Sequence, residues 1–310
     1  MAVIAFQGRP GAYSDLACRE ARPGWQTLPC RSFAETIQAV ARGEADEALL
    51  PCENSLAGRV PEIHALLPES GLVIVGEHFQ RIEHCLLVLP GTRLEELRCV
   101  NTHPVALAQV RDFLARTELE GVAAFDTAGA AEEVAQRGDR TQGAIASALA
   151  GTLNGLTVLE RNIEDASHNT TRFYRVARAA RAADLPAGQA REQQSVGFMT
   201  TLLVRGRNSP GALYRILGCF VRHGVNMTRI ESYMLDGSFT ATRFLMDVEG
   251  APDEAALAQA LAELAEVSEA QRILGVYPRT TEWRDRQGAQ GLQTEQASLL
   301  SREWEEGKTE

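Results

Sequence analysis

The chain has 310 residues, enough for two or three domains, and 45% hydrophobic and 23% charged residues are typical of globular proteins. Its net charge of −10 argues against a general nucleic-acid or membrane surface, so a site for an anion must be locally positive. No apolar run approaches the roughly 20 residues that span a bilayer, and no secretory signal is recognisable. The six cysteines lack paired spacing, which predicts reduced thiols in a cytoplasmic protein, and the scattered histidines predict no metal site.

Strand and helix patterns alternate in the first part of the chain. Strands are predicted at 2–6, 48–50 and 72–75, and helices at 13–22 and 33–42. Ser32 is a candidate N-cap for the second helix. Because the two types alternate, we expect a mostly parallel sheet that helices cover on both faces.

The same alternation then starts again. Apolar runs lie at 85–89 and 99–100, strands are predicted at 122–125 and 143–146, and helices at 104–115 and 128–136. Residues 156–159 lead back towards the first lobe. Two lobes of similar size, joined by crossovers near 78–84 and 160–168, would enclose a cleft. In open α/β sheets, ligands bind beyond the carboxyl ends of the strands.

A third unit follows a linker at 179–195. The predicted elements alternate as β-α-β-β-α-β, which is the ferredoxin-like arrangement, and they lie at 196–204, 211–223, 226–234, 239–248, 254–265 and 273–277. The polar, acidic tail at 281–310 is expected to be disordered or to hold one short helix.

Several strand-to-helix loops carry small hydroxyl or amide side chains. Residues 8–14 (GRPGAYS) form a glycine-containing turn, but they lack both the GxGxxG spacing and the lysine of a phosphate-binding loop. Asn54 and Ser55 follow a strand, although an N-cap for a helix near 58 would look the same. Thr102 and Thr127 are likewise either N-caps or site residues. Together these loops suit an anion that helix N-termini and hydroxyls hold.

The segment at 169–173 (NTTRF) concentrates hydrogen-bond donors. It combines an amide, two hydroxyls and a guanidinium, with no evident base to activate a nucleophile. The residues therefore favour a site that grips an anion or protonates a leaving group. The alternative is an ordinary turn that enters a strand.

Five motifs in order resemble those of the prephenate dehydratases, and two more resemble an ACT domain, a small amino-acid-binding module. The dehydratase motifs are 8–14 (GRPGAYS), 51–60 (PCENSLAGRV), 102–110 (THPVALAQV), 126–131 (DTAGAA) and 169–173 (NTTRF), and the ACT motifs are 208–213 (NSPGAL) and 225–234 (VNMTRIESYM). The resemblance covers about residues 1–280. It implies a dehydratase domain at 1–178 and an ACT domain at 196–280. The first would be two-lobed and periplasmic-binding-protein-like, with lobe one at about 1–78 and 161–178 and lobe two at 79–160.

The resemblance implies decarboxylation and dehydration of prephenate to phenylpyruvate, without a cofactor. By analogy with the family, Thr171 assists the departing hydroxyl as the catalytic residue. The substrate-binding set would be Ala12, Tyr13, Asn54, Ser55, Thr102, Gln109, Thr127, Thr170, Arg172 and Phe173. For Arg172 the alternative of a structural carboxylate partner is favoured over a contact with the substrate, and Phe173 is expected to pack in the core. Ala12 and Val105 replace a threonine and a glutamine of the family pattern, which removes two side-chain donors.

The ACT resemblance implies feedback inhibition by L-phenylalanine. The residues implied for binding are Asn208, Gly211, Ala212, Leu213, Asn226, Glu231 and Ser232. Tyr233 and Met234 stand where the family has Arg-Pro, a pair that in the family helps to bind phenylalanine between two subunits. A ferredoxin-like sheet has exposed edges, so we expect a homodimer or homotetramer. An arogenate dehydratase and a non-catalytic sensor of prephenate or an amino acid remain alternatives.

Overall fold

The computed structural model of the protein describes residues 1–180, 197–234 and 242–280. Nearly all of the predicted linker at 179–195, the start of the strand predicted from 239, and the tail at 281–310 lie outside these residues. No helix within the described ranges is both long and apolar enough to cross a membrane. All six cysteines are free, and five of them are buried.

The first lobe is built on five strands, three helices and a short hairpin strand. The strands are β1 (Val3–Gln7), β2 (Gln26–Cys30), β3 (Glu47–Asn54), the hairpin strand β4 (Gly58–Arg59), β5 (Leu72–Arg81) and, after the second lobe, β11 (Thr170–Arg178). The helices are α1 (Tyr13–Ala21), α2 (Phe33–Arg42) and α3 (Pro61–Glu69). Strands β1, β2 and β3 are parallel, whereas β11 runs antiparallel to both β3 and β5. Strand β5 therefore runs in the same direction as β1, β2 and β3, and in this lobe the expectation of a mostly parallel sheet was wrong for β11 alone.

The second lobe has its own five-stranded sheet, in the order β10-β6-β9-β7-β8. Its strands are β6 (Cys85–Val88), β7 (Cys99–Thr102), β8 (Glu120–Ala123), β9 (Gln142–Ala146) and β10 (Thr157–Glu160). Its helices are α4 (Pro104–Leu107), α5 (Arg111–Thr117), α6 (Thr127–Arg137) and α7 (Ala148–Leu153), with a 3-10 turn at Leu94–Glu96. The chain crosses between lobes after β5 and after β10, as predicted.

The third unit has the predicted β-α-β-β-α-β order. It comprises β12 (Phe198–Gly206), α8 (Ala212–Arg222), β13 (Met227–Met234), β14 (Thr242–Glu249), α9 (Ala255–Val267) and β15 (Ser268–Pro278). A separate core of aliphatic and aromatic side chains lies under its helices, around Ile216, Phe220, Met246 and Leu264.

The sheets of the first lobe and the third unit are joined, which the sequence did not predict. Strand β15 runs parallel beside β5, with Gly275 opposite Ile74, and completes a ten-stranded sheet. A Cβ on Gly275 would lie 2.2 Å from the Ile74 carbonyl oxygen, so glycine is required for this approach. One core also runs through the junction, where Leu50 and Tyr174 pack with Leu245 and Tyr277. Residues 1–279 accordingly form one compact unit.

Candidate active site

The carboxyl ends of the parallel strands in the two lobes face each other. The loop after β1 meets the second lobe, because the Ser147 hydroxyl donates to the Gly11 carbonyl oxygen at 2.6 Å. A Cβ on Gly11 would lie 2.8 Å from the Ala150 Cα, so this contact also requires glycine. Arg9 lies 3.4 Å from the Asp126 carboxylate across the same gap. The loops that follow β1, β3, β7, β8 and β9 therefore surround one site between the lobes.

Asn54 and Thr171 lie at the centre of this site. They are opposite each other on the paired strands β3 and β11. The Asn54 Oδ1 accepts from the backbone N–H groups of Leu56 and Ala57, at 3.0 and 2.8 Å, which fixes the orientation of the amide. Its Nδ2 consequently donates to the Thr171 Oγ1 at 2.9 Å. Thr171 therefore accepts from Asn54, and its own hydroxyl proton is directed to another acceptor.

A chain of amides continues from Asn54 into the second lobe. Asn54 Nδ2 also donates to Asn169 Oδ1 at 2.9 Å, and Asn169 Nδ2 donates to Gln109 Oε1 at 3.1 Å. Asn169 is fully buried. Since the Gln109 oxygen is used by the protein, the Gln109 NH₂ group remains as a donor to the site. The chain thus links strands of both lobes through oriented side chains.

Tyr13 and His84 complete the network, and His84 lies outside the sequence motifs. The imidazole Nε2 lies 2.9 Å from Gln109 Oε1, and Nδ1 lies 2.7 Å from the Tyr13 hydroxyl. Burial lowers the pKa of His84, against the opposing effects of its bond to Gln109 and of two nearby carboxylates. A neutral ring that donates from Nε2 and accepts at Nδ1 satisfies both contacts. The single Tyr13 proton then goes to His84 and not to the Glu83 carbonyl oxygen, which lies 2.9 Å from the same hydroxyl. The only sequence signal was its position in the predicted crossover.

Ser55 connects the turn after β3 to the start of β11. Its hydroxyl donates to the His168 carbonyl oxygen at 3.1 Å and accepts from the Thr170 N–H at 3.0 Å. The helix near 58, for which an N-cap was the alternative interpretation, is instead the short strand β4, and α3 begins at Pro61. Asn54 and Ser55 therefore belong to a turn between two strands and are not helix caps.

Thr102 and Thr127 are not helix N-caps, contrary to the alternative considered for them. The caps are His103 for α4 and Asp126 for α6. Thr102 is fully buried, and its hydroxyl donates to the Ile145 carbonyl oxygen at 2.6 Å. This bond holds β7 to β9, so burial argues against a direct contact between Thr102 and a substrate.

Gln109 does not lie on one continuous helix as expected. The segment at 104–115 breaks into α4 and α5, and the Asp165 carboxylate accepts from the N–H groups of Arg111 and Asp112 at the start of α5. The Asp165 N–H also donates to the Gln109 carbonyl oxygen at 2.8 Å. The break directs the Gln109 side chain towards Asn169.

Arg172 and Phe173, both in the predicted substrate set, are held by the protein itself. Arg172 donates to Glu77 at 2.8 Å and to Asp247 at 2.7 Å, and its side chain is 11% exposed. Phe173 is 2% exposed in a core with Ile4 and Leu49. These contacts favour the structural alternatives for both residues. Ala12 lies at the N-cap of α1, and Thr170 is half-buried beside Thr171.

The residues implied for an amino-acid site in the third unit fall at two ends of one sheet. Gly211, with φ of 72°, is the N-cap of α8 and follows the end of β12. Arg205 near the end of β12 and Tyr233 near the end of β13 both pair with Arg243, so β12 and β13 finish at the same end of the sheet. Asn208, Ala212, Leu213, Glu231 and Ser232 belong to this end. Asn226 lies at the opposite end, where its carbonyl oxygen accepts from the Glu249 N–H. Within one chain, Asn226 and the 208–213 loop do not meet.

Comparison with known proteins identifies the family. A family model described as prephenate dehydratase matches residues 4–181, and one described as ACT domain matches 200–266. The chain belongs to the prephenate dehydratase family. Members of this family are carbon–oxygen lyases, and in this chain the dehydratase domain is followed by an ACT domain.

Relatives of this dehydratase come from bacteria and plants. A bifunctional N-acyl-homoserine lactone acylase/prephenate dehydratase from Komagataeibacter europaeus is 63% identical over 276 residues, which cover 89% of this chain and 95% of the relative. Arogenate dehydratase/prephenate dehydratase 1 from Arabidopsis thaliana is 35% identical and covers 89% and 71% of the two chains. A crystal structure of prephenate dehydratase in complex with L-Phe from Arthrobacter aurescens is 30% identical, with a TM-score of 0.79 and coverage of 90% of each chain.

Proposed function

We propose that the protein converts prephenate to phenylpyruvate, CO2 and water, and that the Thr171 hydroxyl donates a hydrogen bond to the departing ring hydroxyl. The Asn54–Thr171 contact at 2.9 Å carries this proposal, because it occupies a lone pair of Thr171 and leaves its proton for the leaving group. Loss of CO2 and of the ring hydroxyl, which takes up one proton from solvent to leave as water, aromatises the ring. The protein therefore needs to orient the substrate and stabilise the leaving oxygen rather than form a covalent intermediate. Gln109, Tyr13 and Thr170 are the neighbouring groups that we assign to the substrate.

Substitution of Thr171 tests this role directly. We expect Thr171→Ala to lower kcat for phenylpyruvate formation by roughly 100-fold or more, the size of effect seen when one preorganised donor is removed. Thr171→Ser keeps the hydroxyl and should retain most of the activity. Circular dichroism and thermal melting would verify that both variants fold. Turnover by Thr171→Ala within threefold of wild type would rule out the assigned role.

The alternative substrate is arogenate, whose amino group replaces the keto group of the prephenate side chain. Relatives in Arabidopsis thaliana carry both substrates in their names. Steady-state comparison of the two substrates with one enzyme preparation separates these possibilities. Binding of prephenate without product would instead support a sensor.

A second candidate activity is hydrolysis of N-acyl-homoserine lactones, because the bacterial relative that is 63% identical carries this activity in its name. Burial raises the pKa of all six cysteine thiols, so none supplies a thiolate nucleophile at neutral pH. An activated water or a hydroxyl would therefore have to attack the amide. Release of homoserine lactone by wild type and by Thr171→Ala would show whether this activity exists and whether it uses the same site.

We further propose that L-phenylalanine binds the ACT domain and that the protein is a homodimer or homotetramer. The neighbouring structure with L-Phe supports the ligand. Tyr214 and Val221, which lie about two helical turns apart on one face of α8, are 80% and 77% exposed, which suits burial against a second copy. Since Asn226 and the 208–213 loop lie apart in one chain, a site that uses both needs two chains. Sedimentation as a monomer at all concentrations would contradict the assembly.

The cytoplasmic location of the protein stays a prediction.

A further inference from the structure

The residues beside the catalytic pair on both strands are in contact with the ACT domain. Thr171 and Asn54 are opposite each other on β11 and β3, and the next pair in register is Arg172 and Glu53. Arg172 binds Asp247 on β14, and Glu53 lies 3.7 Å from Arg229 on β13. Thr171 and Asn54 are therefore each next in sequence to a residue, Arg172 or Glu53, that lies against a charged side chain of the ACT domain.

The Arg172–Asp247 contact is fully inside the protein. Asp247 is 0% exposed, and its carboxylate accepts from Arg172 at 2.7 Å, from the Tyr174 hydroxyl at 2.7 Å and from the Thr201 hydroxyl at 2.7 Å. Burial opposes ionisation of Asp247, but Arg172 and Arg229 hold its pKa below the ordinary value. The carboxylate is thus charged and oriented by four groups, and Arg172 has little freedom to move.

Two further contacts tie the turn that carries Asn54 to the ACT domain. Arg229 donates to the Tyr174 hydroxyl at 2.6 Å and lies close to the Glu53 carboxylate. Arg59, on the hairpin strand β4 opposite Glu53, binds Glu231 on β13 at 3.2 Å. The 54–59 hairpin and the start of β11 are therefore both held by strands β13 and β14.

We propose that Asp247 and Arg229 of the ACT domain are positioning residues for the Asn54–Thr171 pair, and that this junction transmits binding of an amino acid at the ACT domain to the active site. The proposal rests on the dehydratase function proposed above. Successive side chains point to opposite faces of a strand, so fixing Arg172 on one face sets the direction of the Thr171 hydroxyl on the other. The register shift between Arg172 and Phe173 places a bulge at this point, where a strand can rotate locally. A displacement of about 1 Å at Thr171 is enough to change turnover 100-fold.

Asp247→Asn tests the first part, because it removes the charge and keeps the shape. We expect kcat to fall at least tenfold while KM for prephenate changes less than threefold, since Asp247 does not reach the substrate side. A general loss of stability would lower the amount of folded enzyme. The value of kcat is therefore calculated per folded molecule, with the folded fraction measured by circular dichroism. Wild-type kcat in folded Asp247→Asn would overturn the positioning role.

Glu47→Gln is the matched control. Glu47 is also a buried carboxylate between two arginines, 2.7 Å from Arg22 and 3.7 Å from Arg175, on the same strand β3. It lies seven residues from Asn54, about 23 Å along the strand. This variant should be destabilised in the same way but keep the wild-type kcat. An equal fall of kcat in both variants would show that the effect is one of stability alone.

Arg59→Ala tests the second part at an exposed contact, so it also decides the matter if Asp247→Asn does not fold. Calorimetry should show that L-phenylalanine still binds, while the concentration for half-inhibition of turnover rises at least fivefold. Unchanged inhibition in Arg59→Ala would refute transmission through this junction, whether or not Asp247→Asn folds. Absence of turnover in the wild type would instead refute the dehydratase function, and the two failures are therefore distinguishable.

Discussion

Asn54 has two separate functions within one side chain. Its oxygen accepts from the N–H groups of Leu56 and Ala57 and closes the turn, while its NH₂ group donates to Thr171 and Asn169. Motifs in the sequence indicated Asn54 and Thr171 because each follows or begins a strand at the expected cleft. They did not indicate His84 or Asp247, because those contacts join segments that are distant in sequence.

Asn54→Asp should separate these two functions. The aspartate keeps both acceptor contacts with the turn, but it loses the donated hydrogen bonds to Asn169, Thr170 and Thr171 and adds a charge that repels an anionic substrate. We expect the melting temperature to stay within a few degrees and kcat/KM to fall by roughly 100-fold or more. Asn54→Ala, which also loses the turn contacts, should melt at a lower temperature. If Asn54→Asp retained near-wild-type kcat/KM, the donated bonds would have no part in turnover.

Helices and strands with local signals were predictable, whereas those defined by tertiary contacts were not. Helix α2 was predicted at its observed bounds because Ser32 caps its start, accepting from the Glu35 N–H at 3.1 Å, and Gly43 ends it with a φ of 81°. The break between α4 and α5 was missed, because the Asp165 carboxylate that caps α5 comes from over 50 residues away. Strand β15 was predicted too short, since its first residues pair only with β12.

The contact between β15 and β5 gives a prediction at the level of elements. Gly275→Ala would place a Cβ 2.2 Å from the Ile74 carbonyl oxygen and 2.6 Å from its Cβ, so the two strands must separate. We expect a loss of about 1–3 kcal/mol in the free energy of unfolding, measured by urea denaturation. Gly218→Ala in α8 is the control, because its Cβ would meet only the movable end of Arg222 and alanine favours helix. Equal stability of wild type and Gly275→Ala would contradict the tight approach.

At the scale of the whole molecule, the two-lobed α/β domain and the ferredoxin-like unit were predictable from alternating patterns and motif order. Their fusion into one ten-stranded sheet was not, because a single register pair, Gly275 with Ile74, carries no local signal. The buried charges between the domains follow from this fusion. In separate domains, Arg172 and Asp247 would be in contact with solvent. In the joined sheet Asp247 is buried and the Arg172 side chain is only 11% exposed, and each has the other as a charged partner.

His64 makes the stability of this junction depend on pH. It lies on α3, is 3% exposed, and its Nε2 faces the guanidinium of Arg229 from the ACT domain. Burial, together with Arg229 and Arg59, lowers its pKa to about 4 although Asp247 opposes the shift. The unfolded chain binds a proton near pH 6.5, so between pH 6.5 and 4 it holds more protons than the folded protein. This contribution to stability is therefore complete above pH 6.5 and is lost as the pH falls towards 4.

A comparison with His64→Gln isolates this effect, since glutamine can still accept from Arg229 but does not titrate. The difference in free energy of unfolding between wild type and His64→Gln should change by up to about 3 kcal/mol from pH 7 to pH 4, with wild type losing more stability. Asp247 is present in both wild type and His64→Gln, so its titration cancels when the free energy of unfolding of one protein is subtracted from that of the other. His168→Gln, at an exposed position, should follow the wild-type curve. Parallel curves for wild type and His64→Gln across this range would show that His64 is not held neutral at the junction.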